Sequence, residues 1–270
     1  MRVATVQTSD GVKLAVDVDG DYRRLDFDGD LLSLVQSGVD PCDLALGEAV
    51  AGEPAAPLRP GKIVAIGLNY LDHIRESNLP QPAQPLVFAK FPSSVTGPGD
   101  PIIVDAELTT QVDWEVELGV VIGRRMRDVA VGGALEHVFG YTVCNDVSAR
   151  DVQFSESQWT RGKSFDTFCP VGPVVVTPDE IPDPQALALG TRVNGEVMQD
   201  SSTREMLFGV AELLAFCSRS FTLEPGDLLL TGTPWGCGYF MDPPRALEVG
   251  DVVECEVERI GLLRNAVSAR

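Results

Sequence analysis

The stretch VDWEVELGVVIG, residues 112 to 123, places Glu115 and Glu117 two positions apart in a segment that otherwise reads as an apolar strand. Successive side chains alternate between the two faces of a strand, so both glutamates point the same way, about 7 Å apart. The residues that flank them take the opposite face. The segment 119 to 122 is apolar on both faces, which predicts a strand that is covered on both sides.

Two buried carboxylates need compensation, because an unpaired buried charge is costly and like charges resist sharing one site. A divalent cation would remove both penalties. Carboxylate oxygens, with water and substrate completing roughly six positions, suit Mg²⁺ or Mn²⁺, whereas zinc usually takes His or Cys. The alternative is a half-solvated antiparallel strand, and the Glu-x-Glu spacing alone leaves that alternative open.

A third oxygen ligand is expected at Asp146, which ends the apolar run FGYTVCND, residues 139 to 146. Asp146 directly follows a predicted core strand rather than lying in a charged surface run, which favours a role as a metal ligand. The alternative for Asp146 is an ordinary turn or helix-cap residue.

Length and pattern indicate one large domain with a small addition. The chain has 270 residues, 44% of them hydrophobic, with many short strand patterns and few helical ones, which predicts a mainly β fold with some helix, of the α+β class. A proline-rich segment at 51 to 62 interrupts both periodicities and is predicted to be a linker. We therefore expect a small β-rich N-terminal domain, residues 1–57, and a metal-dependent catalytic domain, residues 58–270.

The formal charge of −19 opposes binding to nucleic acid or to an anionic membrane. An acidic substrate would need local positive charge from a metal, Arg or Lys. The six cysteines form no CxxC pair, which argues against a zinc site and a disulfide framework. No run is apolar enough for a membrane span, and the start MRVATVQTSD lacks the pattern of a secretory signal, so we expect a cytoplasmic protein.

A second constellation lies in DHIRE, residues 72 to 76. His73 and Glu76, three residues apart, would meet on one helical face, where the carboxylate can orient the imidazole. The alternative is a solvent-facing ion pair. His137, the other histidine, has no such partner and is predicted to be structural.

Other polar residues near apolar segments are candidates for the functional site, and each could instead have an ordinary structural role. Lys163 precedes an aromatic cluster and is expected beside a packed wall, although most lysines lie on the surface. Arg150 has a surface ion pair as its alternative. In the segment TGTP, backbone N–H groups and hydroxyls could bind a substrate carboxylate. The alternative is a simple turn after a strand. The candidate residues for carboxylate binding are Thr231, Gly232 and Thr233.

The chain resembles the fumarylacetoacetate hydrolase family. Seven blocks carry the resemblance in order, and the matches span residues 62 to 267; the blocks are GLNYLDHIRE, FAKFPSS, DWEVELGVVIG, NDVSARDVQ, GKSFDTFCPVGP, TGTPWGCG and IGLLRN. The N-terminal part resembles that of the short bacterial members. The resemblance implies a mixed β-sandwich or roll with a small N-terminal β-rich domain, a homodimer, and Mg²⁺ or Mn²⁺ held at Glu115, Glu117 and Asp146.

The resemblance also implies roles for individual residues. His73 and Glu76 match a pair on a mobile lid that activates water, and Lys163 matches a residue that meets the charge developing on the substrate's enol oxygen. Substrate contacts are implied at Arg150, Gln153 and, within FAKFPSS, Lys90. Trp235 and Cys237 depart from the small or aliphatic residues that members often carry there.

The favoured function is hydrolytic cleavage of a C–C bond in a β-diketo or 2-oxo acid, such as an acylpyruvate, through a metal-stabilised enolate. Decarboxylation of an oxaloacetate-type substrate and isomerisation of 2-hydroxyhepta-2,4-diene-1,7-dioate are the alternatives that use the same enolate. Outside enzymes, a metal-assisted module that binds a small dicarboxylate and a purely structural metal site also remain open.

Overall fold

The computed structural model describes residues 1–270, with 19 strands and five short α-helices. The strands are β1 Arg2–Thr8, β2 Gly11–Val18, β3 Asp21–Leu25, β4 Leu46–Ala49, β5 Glu53–Ala55, β6 Ile63–Gly67, β7 Leu86–Lys90, β8 Val95–Thr96, β9 Ile102–Val104, β10 Val112–Asp113, β11 Val116–Ile122, β12 Val138–Asn145, β13 Ser148–Ala149, β14 Cys169–Val176, β15 Ala188–Val193, β16 Glu196–Ser202, β17 Leu228–Leu230, β18 Val252–Val257 and β19 Gly261–Ala269. The helices are α1 Leu31–Ser37, α2 Leu71–Ser77, α3 Val131–Ala134, α4 Arg150–Ser155 and α5 Val210–Ser220. None of the five combines the length and the apolar composition that a membrane crossing requires.

Two sheets stack face to face. The larger has twelve strands along the order β4-β3-β2-β1-β14-β12-β11-β17-β6-β7, with β5 added beside β1 and β8 beside β14. The smaller has the order β16-β15-β18-β19-β9. Strands β11, β12 and β14 pack against β15, β18 and β19, so the main core lies between the sheets. This α+β arrangement confirms the predicted fold class, and parallel pairing of β17 with β6 makes the large sheet mixed.

Strand β11 runs through the middle of the large sheet and is buried along its whole length. Trp114, Val116 and Leu118 point into the main core, as the alternation of faces predicts. Glu115 and Glu117 point to the other face and are only 5% and 1% exposed. The half-solvated alternative for this strand is therefore wrong, because neighbouring strands cover both of its edges and other elements cover both of its faces.

The N-terminal strands extend the same large sheet. Arg2 and Val3 in β1 pair with Val176 and Val175 in β14, and β5 pairs with β1. The segment 51–62 was predicted to be a linker throughout. This is wrong for residues 53–55, because they form β5, which pairs with β1. The pairing of β1 with β14 joins the two predicted domains across residue 57. The division into two domains stays a prediction.

Local structure agrees with the sequence signals in several places. Helix α2 follows β6, and its C-cap Asn78 is left-handed with φ 55°, two residues before Pro80. The hairpin between β15 and β16 turns at Asn194 and Gly195, both with positive φ, as an Asn-Gly turn requires. Helix α3 precedes β12, the strand that leads to Asp146.

Replacing Leu229 in β17 with alanine tests the importance of this inner strand. Leu229 is fully buried in the main core, so Leu229→Ala should lower the free energy of unfolding by about 2–5 kcal/mol. The matched control is Leu262→Ala in β19, where the leucine is 41% exposed and the loss should stay within about 0.5 kcal/mol. Urea titration measures both values, and equal losses would contradict the assigned core.

Candidate active site

Strand register brings the three predicted metal ligands together. In the ladder between β11 and β12, Val116 faces Asn145. The next pair outward is Glu115 opposite Asp146, and the Asp146 N–H donates to the Glu115 carbonyl oxygen at 2.8 Å. Glu117 lies two residues further along the same face. Carboxylate oxygens from the three acids, the carboxylate triad, lie within 4.8 Å of one another.

Side-chain amides replace ladder bonds where β11 begins. The Glu115 N–H donates to Asn145 Oδ1 and the Val116 N–H to Gln199 Oε1, each at 3.0 Å. Gln199 Nε2 in turn donates to Thr233 Oγ1 at 2.9 Å. These bonds fix the backbone that carries the triad, and sequence reasoning missed both amides because their partners are distant in the chain.

The strand on the other side of β11 holds Glu117 in place. Leu230 in β17 faces Gly119, and the same register continued outward brings Gly232 to Glu117. The Gly232 N–H donates to Glu117 Oε2 at 2.6 Å. Gly232 has φ +96°, and an added Cβ would lie 2.8 Å from Asn69 Cβ, so the position requires glycine.

The neighbours of Gly232 also make internal bonds. The Thr231 hydroxyl donates to the Leu118 carbonyl at 2.9 Å, and the Thr233 hydroxyl accepts from Gln199. Thr233 lines the cavity beside the triad, whereas Thr231 and Gly232 do not. Contact of Thr231, Gly232 and Thr233 with a substrate carboxylate stays a prediction.

Two buried lysines neutralise part of the triad. Lys163 Nζ lies 2.7 Å from Glu115 Oε2 and 2.8 Å from Asp146 Oδ2, so one ammonium bridges two of the acids. Lys90 Nζ donates to Asp146 Oδ1 at 2.6 Å and also to the carbonyl of Lys163. Lys163 lines the cavity, whereas Lys90 and Asp146 do not. A direct contact of Lys90 with substrate stays a prediction.

Arg150 supplies the third buried cation, at the first position of α4. Its Nη1 lies 2.6 Å from Glu115 Oε1 and donates to Gln153 Oε1 at 3.0 Å, and its Nε donates to Asp113 Oδ2 at 2.8 Å. The surface alternative for Arg150 is wrong, because the residue is 2% exposed. Asp113 was missed, although the period of two that marks Glu115 and Glu117 extends back to it.

The charges at this site leave one carboxylate without a basic partner. Burial opposes ionisation of Glu115, but Lys163 and Arg150 outweigh it and lower the Glu115 pKa to about 2. Burial raises the pKa of Glu117 well above its ordinary value, and the neighbouring charges of Asp146 and Glu115 raise it further. Burial tends to lower the pKa of Lys163, but Asp146 and Glu115 raise it overall.

The charge balance and the donor set fit a hard divalent cation. Four buried acids face three buried bases, which leaves one negative charge uncompensated; the acids are Asp113, Glu115, Glu117 and Asp146, and the bases are Lys90, Lys163 and Arg150. The triad offers only oxygen ligands, which favours Mg²⁺ or Mn²⁺ over zinc. A cation beside Glu117 would stabilise its ionised form.

The predicted His73–Glu76 pair forms on α2, next to the same cavity. His73 Nδ1 lies 3.0 Å from Glu76 Oε2. The other oxygen of Glu76 accepts from the Gly236 N–H at 2.8 Å, and the Phe240 ring meets the imidazole edge-on with centroids 5.4 Å apart. The solvent-facing alternative for His73 is wrong, because the residue is 6% exposed. The predicted mobility of α2 stays a prediction, as does the structural role of His137.

One cavity joins these groups. Its lining combines Glu115, Glu117, Lys163 and Arg150 with His73. A water or substrate in this space would meet Glu115, Glu117 and the imidazole, an arrangement suited to proton transfer at an anionic substrate.

Comparisons with known proteins identify relatives of this chain. The sequence model described as "Fumarylacetoacetate (FAA) hydrolase C-terminal" matches residues 62–268. The mitochondrial oxaloacetate tautomerase FAHD2A of Bos taurus is 51% identical over 211 residues, which cover 77% of this chain and 67% of the relative. The 2,4-didehydro-3-deoxy-L-rhamnonate hydrolase of Sphingomonas sp. (strain SKA58) is 46% identical over 261 residues, covering 94% and 90%.

A solved structure matches the whole chain. The fumarylacetoacetate hydrolase of the psychrophile Exiguobacterium antarcticum superposes with a TM-score of 0.91 at 41% sequence identity, and the match covers 100% of both chains. Fold, length and sequence therefore agree over both the N-terminal strands and the cavity.

Magnesium should bind more tightly as the pH rises above the ordinary carboxyl pKa. Because burial and the neighbouring acids raise the pKa of Glu117, a proton competes with a cation for this carboxylate as the pH falls. Calorimetric titration from about pH 5 to about pH 8, in buffers of different ionisation enthalpy, measures both affinity and proton release. The exposed-site control Glu107→Gln should give the wild-type profile, and an affinity independent of pH would contradict the prediction.

Proposed function

This chain belongs to the fumarylacetoacetate hydrolase family, and we propose that it is a divalent-metal-dependent hydrolase that cleaves a C–C bond in a 2,4-dioxo acid of the acylpyruvate class. The supporting observation is that Glu115 and Glu117, two members of the carboxylate triad, line one cavity together with the oriented His73. The Sphingomonas hydrolase adds support, because oxidation at positions 2 and 4 with a deoxy position 3 describes a 2,4-dioxo acid.

In this proposal, Glu115, Glu117 and Asp146 hold the cation. When bound there, it would supply positive charge beside the 2-oxo acid group and stabilise negative charge that develops on oxygen. Lys163 and Arg150 keep Glu115 ionised and fixed in direction. Lys163 also lines the cavity. In this proposal it donates a hydrogen bond to the substrate's 2-oxygen as charge develops.

His73 serves as the general base. Glu76 engages Nδ1, so Nε2 is the ring nitrogen that takes a proton from water. The resulting hydroxide attacks the C4 carbonyl, the bond between C3 and C4 breaks, and its electron pair goes to C3 as pyruvate enolate. A proton then returns to C3. One water is consumed, and the products are pyruvate and a carboxylic acid.

Keto–enol interconversion of oxaloacetate is the second candidate, favoured by the 51% identity to the bovine oxaloacetate tautomerase. The same base would remove a proton from C3, and no water would be consumed. The two candidates therefore differ in whether water adds to a distal carbonyl. Assays of an acylpyruvate and of enol-oxaloacetate, run on the same preparation, separate them.

Glu115→Gln tests the metal assignment. The change removes one anionic ligand and leaves Lys163 and Arg150 without a shared partner, so we expect loss of both Mg²⁺ binding and turnover. EDTA should abolish wild-type turnover without altering the circular dichroism spectrum. Glu107→Gln, at an exposed site, is the matched control and should keep both properties. Full turnover by Glu115→Gln would refute the ligand assignment.

His73→Ala tests the general base. We expect acylpyruvate hydrolysis to fall by about 10²–10⁴-fold, because a positioned base commonly contributes that much, while Mg²⁺ affinity stays close to wild type. His137→Ala removes the only other histidine, which lies outside the cavity, and should leave hydrolysis unchanged. Unchanged hydrolysis in His73→Ala would show that the pair does not activate water.

A further inference from the structure

The outer part of the cavity has a different character from its charged end. The cavity lining includes the apolar side chains of Leu79, Phe154 and Trp159. Phe88 and Phe240 also line the cavity, but their rings stand beside Lys163 and Arg150, at 5.3 and 6.0 Å. Leu79 is 43% and Phe154 45% exposed, so apolar surface faces solvent at the mouth. Such surface at a cavity mouth gains free energy when an apolar group covers it.

The aromatic part of this wall is fixed by its surroundings. Trp159 packs on the backbone of Gly67, where an added Cβ would lie only 2.4 Å from the indole ring. Phe88 meets Trp159 edge-on with centroids 5.5 Å apart, and Phe154 packs on Tyr239 at 4.9 Å. The wall is therefore preformed. A polar group placed against it would contact apolar side chains.

Each basic side chain of the cavity already has an acidic partner. Lys163 pairs with Glu115 and Asp146, and Arg150 pairs with Asp113 and Glu115. His73 pairs with Glu76. No other lysine, arginine or histidine lines the cavity. The outer part thus offers no free cation to a second carboxylate.

Polarity also fixes the direction in which an acylpyruvate enters. Its 2-oxo acid head belongs at the charged end, and its acyl group then extends along the apolar wall. A carboxylate at the far end of that acyl group would lie against carbon with no unpaired lysine, arginine or histidine to meet it, which is unfavourable to the extent that it loses water. The formal charge of −19 adds repulsion against a dianion.

Resting on the proposed function, we propose that the substrate is a monocarboxylic acylpyruvate with an uncharged, apolar acyl group. Leu79, Phe154 and Trp159 contact that group and determine specificity. Acylpyruvates of the same length that end in a second carboxylate are discriminated against.

Butyrylpyruvate and succinylpyruvate form a matched pair, because both have seven chain carbons and differ in a terminal methyl or carboxylate. With the Mg²⁺-loaded enzyme we expect kcat/KM for butyrylpyruvate to exceed that for succinylpyruvate by at least about 100-fold. Equal values, or preference for succinylpyruvate, would overturn the inference while leaving the hydrolase intact. Cleavage of neither compound would overturn the proposed function and this inference with it.

A cation introduced at the mouth should reverse the preference. In Phe154→Arg we expect kcat/KM to rise for succinylpyruvate and to fall for butyrylpyruvate, and Leu79→Lys provides a second position if the first variant is unstable. Val197→Lys, at a site 59% exposed and outside this cavity, adds the same charge and should keep the wild-type ratio. An unchanged ratio in both folded mouth variants would overturn the assignment of the wall.

Discussion

The antiparallel register between β11 and β12 is the constraint on which the site depends. Because Val116 faces Asn145, the residues beyond the ladder are Glu115 and Asp146, and one shift of register would separate them. The pairing of β17 on the opposite edge of β11 brings the Gly232 N–H to Glu117. Two neighbouring ladders in the middle of one sheet therefore assemble the carboxylate triad with little contribution from flexible loops.

Buried charge then shapes the surroundings of the triad. Lys90 and Lys163 converge on Asp146, and Arg150 reaches Glu115 from the opposite side. These pairs leave Glu117 as the acid without a base. Even with three buried bases, the four buried acids leave this site negative, so an anionic substrate would require the added positive charge of a cation here.

Sequence alone identified the features that depend on periodicity. Alternation of strand faces predicted that Glu115 and Glu117 point the same way, and the end of an apolar run indicated Asp146 as a third ligand. Helical spacing gave His73 and Glu76. Contacts between distant segments were not predictable in this way: Gln199 and Gly236 reach the site from other elements, and no local pattern marks them. The same limit explains why the pairing of β1 with β14 was missed, since strand partners are set by tertiary packing.

The position of β17 also determines when this site can assemble during synthesis. Residues 228–230 lie between β6 and β11 in the sheet, although β6 precedes them by more than 160 positions in the chain. Until β17 leaves the ribosome, the strand that connects β6 to β11 is missing. During that time β6 and helix α2 cannot join the central strands through it. The nascent chain consequently stays without an assembled catalytic centre until translation is nearly complete.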